Sequence, residues 1–145
     1  MKKASLLLLS LMLIGCQAER TAISSNELII GTFMHSCAPW DGPALRISLP
    51  LEKKATYPQL DIAIWKATFP RSATFPESMQ NDTGYIGYCS SENTCTYLPS
   101  ANITFQTEDS GNLVKGTFNV TLTTGEHLQG SYEAVLDMTH RELCG

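Results

Sequence analysis

Val114-Lys115-Gly116-Thr117-Phe118-Asn119-Val120-Thr121-Leu122, followed after a turn by Leu128-Gln129-Gly130-Ser131-Tyr132-Glu133-Ala134-Val135-Leu136, carries an apolar or small side chain at every second position. Period two belongs to a strand, in which successive side chains point to opposite faces. Val114, Gly116, Phe118, Val120 and Leu122 therefore share one face, and Lys115, Thr117, Asn119 and Thr121 share the other. Directly opposed residues of an antiparallel pair point the same way, so Leu122 is expected against Leu128 and not His127, across an odd loop centred on Gly125. That register sets Val120 against Gly130, Phe118 against Tyr132, Gly116 against Ala134 and Val114 against Leu136. On the outer face it pairs Thr121 with Gln129, Asn119 with Ser131 and Thr117 with Glu133. Small residues beside large ones describe a filled inner face, which argues against a carrier with an internal cavity.

The same period recurs from Glu27 onward. Leu28 to Met34 reads as a first strand. Leu45, Ile47 and Leu49 alternate with Ala44, Arg46 and Ser48 up to Pro50, and Leu60, Ile62 and Ile64 alternate with Asp61, Ala63 and Trp65. Tyr85 to Ser90 and Thr94 to Leu98 flank a small polar turn, and Ala101 to Thr107 adds another strand. Short strands at near-regular spacing predict an all-β domain, a small antiparallel β-sandwich or a barrel-like sheet, with the sandwich preferred. The tail from Asp137 is expected to form one helical turn with Asp137 as its N-cap.

Residues 1–16 read Met-Lys-Lys-Ala-Ser-Leu-Leu-Leu-Leu-Ser-Leu-Met-Leu-Ile-Gly-Cys. The apolar stretch behind Lys2 and Lys3 falls short of the ~20 residues that span a bilayer as a helix, and reads as an export signal. Its ending, Leu13-Ile14-Gly15-Cys16, resembles the lipobox of bacterial lipoproteins, in which a dedicated peptidase cuts before a lipidated cysteine. The resemblance implies a signal peptide over 1–15, lipid on Cys16, and, with Gln17 rather than aspartate after it, transfer to the outer membrane on the periplasmic face. Two or more acyl chains anchor stably. Residues 16–26 then read as lipidated cysteine and flexible tether, and 27–145 as a single β-domain.

Of the 145 residues, cleavage before Cys16 leaves 145 minus 15, or 130, enough for one core. Without Lys2 and Lys3, 8 of the 10 basic residues stand against 14 acidic ones, a formal charge of 8 minus 14, or −6. An acidic domain argues against nucleic acid or a polybasic membrane reader as partner or role, and suits a basic protein of the envelope. The envelope is oxidising, and Cys37, Cys89, Cys95 and Cys144 are an even set that allows three connectivities. Cys89 and Cys95 enclose Ser-Ser-Glu-Asn-Thr, a hairpin turn that a bridge can cross, which leaves Cys37 with Cys144. The longer bridge closes a loop of about 100 residues, worth up to ~4 kcal/mol in the chain-entropy model.

No Gly-x-Ser-x-Gly elbow or phosphate-binding loop occurs, and no cysteine pair has zinc-knuckle spacing. No cofactor is expected. Binding candidates come from three near copies, Ala55-Thr56-Tyr57-Pro58, Ala67-Thr68-Phe69-Pro70 and Ala73-Thr74-Phe75-Pro76. Proline locks its own φ and holds the preceding residue extended, so each unit is a stiff strand end. The rings either fold down over the core, the favoured reading, or are offered to a partner. The second case makes Tyr57, Phe69, Phe75 and Met79 the binding residues, the last three within an expected irregular stretch from Phe69 to Thr83. In the loop His35 to Pro43, Trp40 is expected to pack on the Cys37 bridge. That bridge would also draw His35 and His140 together with Asp41 and Glu142, the basis of an alternative metal-dependent or hydrolytic reading. The leading expectation is a non-enzymatic binding or accessory module for an envelope partner, such as an assembly factor or inhibitor.

Overall fold

A computed structural model describes residues 27–75, 84–140 and 144; Cys16, the signal, the tether, Met79 and Glu142 lie outside them. The described residues form ten strands: β1 Leu28–Cys37, β2 Pro43–Pro50, β3 Gln59–Ile64, β4 Ser72–Phe75, β5 Gly84–Ser91, β6 Thr94–Tyr97, β7 Ser100–Thr104, β8 Gln106–Thr107, β9 Leu113–Thr121 and β10 His127–Leu136. They hydrogen-bond into one sheet in the order β4-β7-β9-β10-β1-β2-β3-β5-β6, with β8 alongside β9. Every pairing is antiparallel except β1 with β10, which run parallel and so bring the start and end of the domain together. The sheet curls over a single core and returns β4 to the neighbourhood of β5. The all-β domain with two disulfides is thus present, and its opposing layers are two halves of one continuous curled sheet.

Alternation fixes what the sheet encloses. Ile47, Leu49, Leu60, Ile62, Ile64, Ile86, Ile103, Val114, Phe118, Val120 and Tyr132 are buried, each on the apolar phase of its strand. Both bridges form, Cys37 to Cys144 and Cys89 to Cys95, and the first ties the end of β1 to the tail behind β10.

The β9–β10 hairpin keeps the expected inner and outer faces but not the expected register. His127 lies opposite Thr121, Leu128 opposite Val120, Gly130 opposite Phe118, Tyr132 opposite Gly116 and Ala134 opposite Val114, a slip of two residues. Leu122 belongs to the turn, its N–H donating to the Glu126 carbonyl at 2.8 Å, while Gly125 takes the positive φ of 84° that lets the chain reverse. The slip lets each large ring cover a glycine rather than another ring. A Cβ on Gly116 would stand 1.9 Å from the Thr104 carbonyl oxygen and 2.9 Å from Cε1 of Tyr132. Tyr132 uses that space to donate its hydroxyl to the Thr104 oxygen at 2.9 Å.

Two further expectations are corrected. Ser72–Phe75, within the stretch read as irregular, is a strand paired to β7, because the five residues between Pro70 and Pro76 leave room for a four-residue strand that turns Ala73 and Phe75 inward. Asp137 caps a turn and not a helix over the described residues: its Oδ1 accepts from the Thr139 N–H at 2.8 Å and hydroxyl at 2.6 Å.

Candidate functional site

The rings singled out by their Pro-terminated repeats pack mainly inward. Phe75 is 3% exposed. Phe69 is half-buried, stacked on Phe105 at 5.4 Å and edge-on to Phe33 at 5.3 Å. Tyr57 is half-buried ahead of a cis peptide bond to Pro58. Phe75 lies in the core and Phe69 packs against it where the strands stop. His35 is exposed on β1, and His140 is exposed with Nδ1 3.5 Å from Asp137 Oδ2. Asp41 sits in the Ala38–Gly42 turn at a φ of 61°. Among the described residues, no three His, Cys, Asp or Glu side chains gather closely enough to hold a metal ion.

What the fold does assemble lies on the outer face of β2, β3, β5 and β6. Ser48 pairs with Asp61, Arg46 with Ala63, Ala63 with Tyr85 and Gly87 with Tyr97, so these side chains share one side of the sheet. Alternation makes that side the solvent face, yet Asp61 is 2% exposed. A carboxylate that has lost its water needs charge and hydrogen bonds in return. Arg46 supplies both, with Nε on Oδ1 at 2.7 Å and Nη2 on Oδ2 at 2.9 Å, and the Tyr85 hydroxyl donates to Oδ2 at 3.0 Å. Burial, and after it the neighbouring carboxylate, pushes the Tyr85 hydroxyl well above the ordinary phenol range, so it remains a donor.

Aromatic rings flank this network. Trp40 packs edge-on against Trp65, centroids 5.0 Å apart, and Tyr97 edge-on against Tyr85 at 5.3 Å. The geometry is the one preferred by the ring quadrupoles. In each pair one ring is half-buried and the other exposed: Trp40 is 57% and Tyr97 51% exposed. Trp40 thus packs on Trp65, where the sequence suggested the Cys37 bridge, while Cys37 lines the same recess. A cleft of about 280 Å³ opens between the half-buried rings, lined by Ser36, Cys37, Pro39, Arg46, Trp65 and Tyr85 among others.

A larger recess, about 500 Å³, lies over β9 and β10. There Lys115 is held between Glu108 at 3.3 Å and Glu133 at 3.4 Å, contacts that raise its pKa. The neighbouring rings, Phe105 and Tyr132, are 7% and 1% exposed and offer no face to a ligand. The ring-flanked cleft is therefore the better candidate.

Sequence reasoning passed over Arg46, Asp61, Trp65, Tyr85 and Tyr97 as site residues. One signal was present: Trp65 falls in phase with Asp61 and Ala63 on the polar side of its strand, where a tryptophan is out of place unless something covers or uses it. Set beside known protein families, curated proteins and solved structures, the chain matches none.

Proposed function

We propose that this chain is a lipid-anchored lipoprotein of the outer membrane, facing the periplasm, that works as a non-enzymatic binding or accessory module for an envelope partner. The partner sits on the ring-flanked face of β2, β3, β5 and β6. One observation carries this reading: the exposed rings Trp40 and Tyr97 are each braced by a second ring around the buried Asp61 carboxylate and the half-exposed Arg46 that grips it through two hydrogen bonds, on a face where alternation calls for solvated polar side chains. Aromatic residues and arginine dominate the anchors of binding surfaces, because a large rigid ring gains contact area at little entropic cost. The lipobox-like Leu13-Ile14-Gly15-Cys16 supplies the anchor.

Metabolic labelling with a fatty acid, combined with membrane fractionation, tests the address. Wild-type protein should label and fractionate with the outer membrane, and Cys16→Ala should do neither. In-cell crosslinking should capture an envelope component in stoichiometric yield from the wild type, and far less from Trp40→Ala with Tyr97→Ala. A clean negative across several growth states would sink the binding-module reading.

A further inference from the structure

The cleft between Trp65 and Tyr85 joins three features. Its walls mix ring faces and small apolar side chains with polar ones, Ser36, Arg46 and Tyr85. Its charges cancel, since the Arg46 guanidinium grips the Asp61 carboxylate through two hydrogen bonds. Its volume, about 280 Å³, falls just below the ~300 Å³ from which drug-sized ligand sites run upward, and suits a single small ring. An anion finds the arginine already matched, and a lipid chain finds half the wall polar.

We propose that this cleft is a glycan-binding site, taking an uncharged pyranose ring of an envelope polysaccharide between Trp65 and Tyr85 and extending the glycan onto Trp40 and Tyr97. The assignment rests on the binding-module reading and names its ligand class. A pyranose has a face of C–H groups, made electropositive by the oxygens on each carbon, and a rim of hydroxyls. The C–H face stacks on the electronegative face of an aromatic ring, and the rim suits the polar wall. The rings are arranged for more than one sugar: Trp65 follows β3, Tyr85 lies on β5 and Tyr97 on β6, neighbouring strands at spacings of ~4.8 Å. The row thus crosses on the order of 10 Å of sheet, with Trp40 prolonging it past Trp65. The edge-on bracing fixes both exposed rings before a ligand arrives, which lowers the ordering cost of binding.

The test uses the full-length protein in a detergent without sugar headgroups. Probes are insoluble peptidoglycan sacculi, read by co-sedimentation, and soluble chito- and gluco-oligosaccharides, read by tryptophan fluorescence; they separate amino-sugar from plain glucan sources. Binding should saturate and persist at about 0.5 M salt, where charge attraction is screened within a few Å. Trp40→Ala and Tyr97→Ala should each weaken it by about tenfold or more, Trp40→Phe and Tyr97→Phe, which keep a ring, should lose less than the alanine variants, and the exposed Gln129→Ala, on β10, should retain it. Circular dichroism verifies that each variant is folded.

Binding that Trp40→Ala leaves intact, or that salt abolishes, overturns the assignment. Should no glycan bind while a photo-crosslinker at position 97 captures an envelope protein, the glycan assignment falls and the binding-module reading stands. If neither occurs, both fall.

Discussion

Replacing Arg46 by methionine should damage the fold more than replacing the residue it pairs with. The Arg46 side chain is 41% exposed, whereas that of Asp61 is 3% exposed. In Arg46→Met the stem still packs, but the Asp61 carboxylate stays buried with only the Tyr85 hydroxyl of its three side-chain donors. Removing one partner of a buried pair costs ~3–5 kcal/mol, mostly as the penalty of the stranded charge. The remaining Tyr85 bond and some water entry place the expected loss near the lower figure, about 3 kcal/mol. In Asp61→Asn the side-chain carbonyl can still accept, and the guanidinium, already half in water, gains hydration. That loss should be ~1–2 kcal/mol, the difference between charge-assisted and neutral hydrogen bonds. Urea denaturation with both disulfides intact measures the two values, and Arg46→Met should lower Tm by on the order of 10 °C. Equal losses, or a loss under ~1 kcal/mol for Arg46→Met, would refute the reasoning, since only a solvated Asp61 tolerates losing its cation so cheaply.

Gly116→Ala should cost about 2–3 kcal/mol because the added carbon meets the Thr104 carbonyl, whereas Gly87→Ala, whose Cβ would approach nothing within 3.5 Å and only the Thr96 oxygen at 3.6 Å, should be nearly neutral in the same denaturation assay. Burial raises the phenol pKa of both Tyr85 and Tyr132 above the ordinary value of 10.0 that they regain on unfolding, so the folded state holds its protons longer. Their contribution to stability is therefore full below pH 10.0 and declines as pH rises beyond it; Tyr85→Phe should shallow that decline in a pH series of thermal melts. Deleting the Cys37–Cys144 bridge, whose ends are 107 residues apart, should cost about 5 kcal/mol in the chain-entropy model, against about 2 kcal/mol for Cys89–Cys95, 6 apart, measured by urea unfolding of the paired serine variants.

The strands and both faces of the sheet were legible because alternation is a local property that every strand must obey. Leu60, Ile62 and Ile64 could face only inward, and the hairpin pattern of Val114 to Leu136 could build only a sheet. Register was less legible. The apolar pattern permits slips of two, and the choice between them fell to the Leu122–Glu126 turn and to the fit of Tyr132 over Gly116. The β4 strand was hidden by its flanking prolines. The parallel β1–β10 contact joins residues about 100 apart, which no local pattern encodes.

The disulfides were legible because an even set of four cysteines behind an expected export signal, with one short hairpin spacing among them, restricted the choices. The candidate face was not, since it depends on spatial order. Arg46, Asp61, Tyr85 and Tyr97 come from four strands, and only the β2-β3-β5-β6 neighbourhood makes them one surface. The Pro-terminated aromatics drew attention by repetition, yet Phe69 and Phe75 use their rings to close the core.

A photo-crosslinking amino acid at position 97 in living cells, compared with one at Gln129, an exposed outer-face position on the other half of the sheet, tests whether the ring-flanked face binds. Position 97 should yield a discrete adduct with an envelope component that Trp40→Ala suppresses, with no adduct from position 129. Equal adducts at both positions, or an adduct from 129 alone, would contradict the assignment of the ring-flanked face as the binding surface.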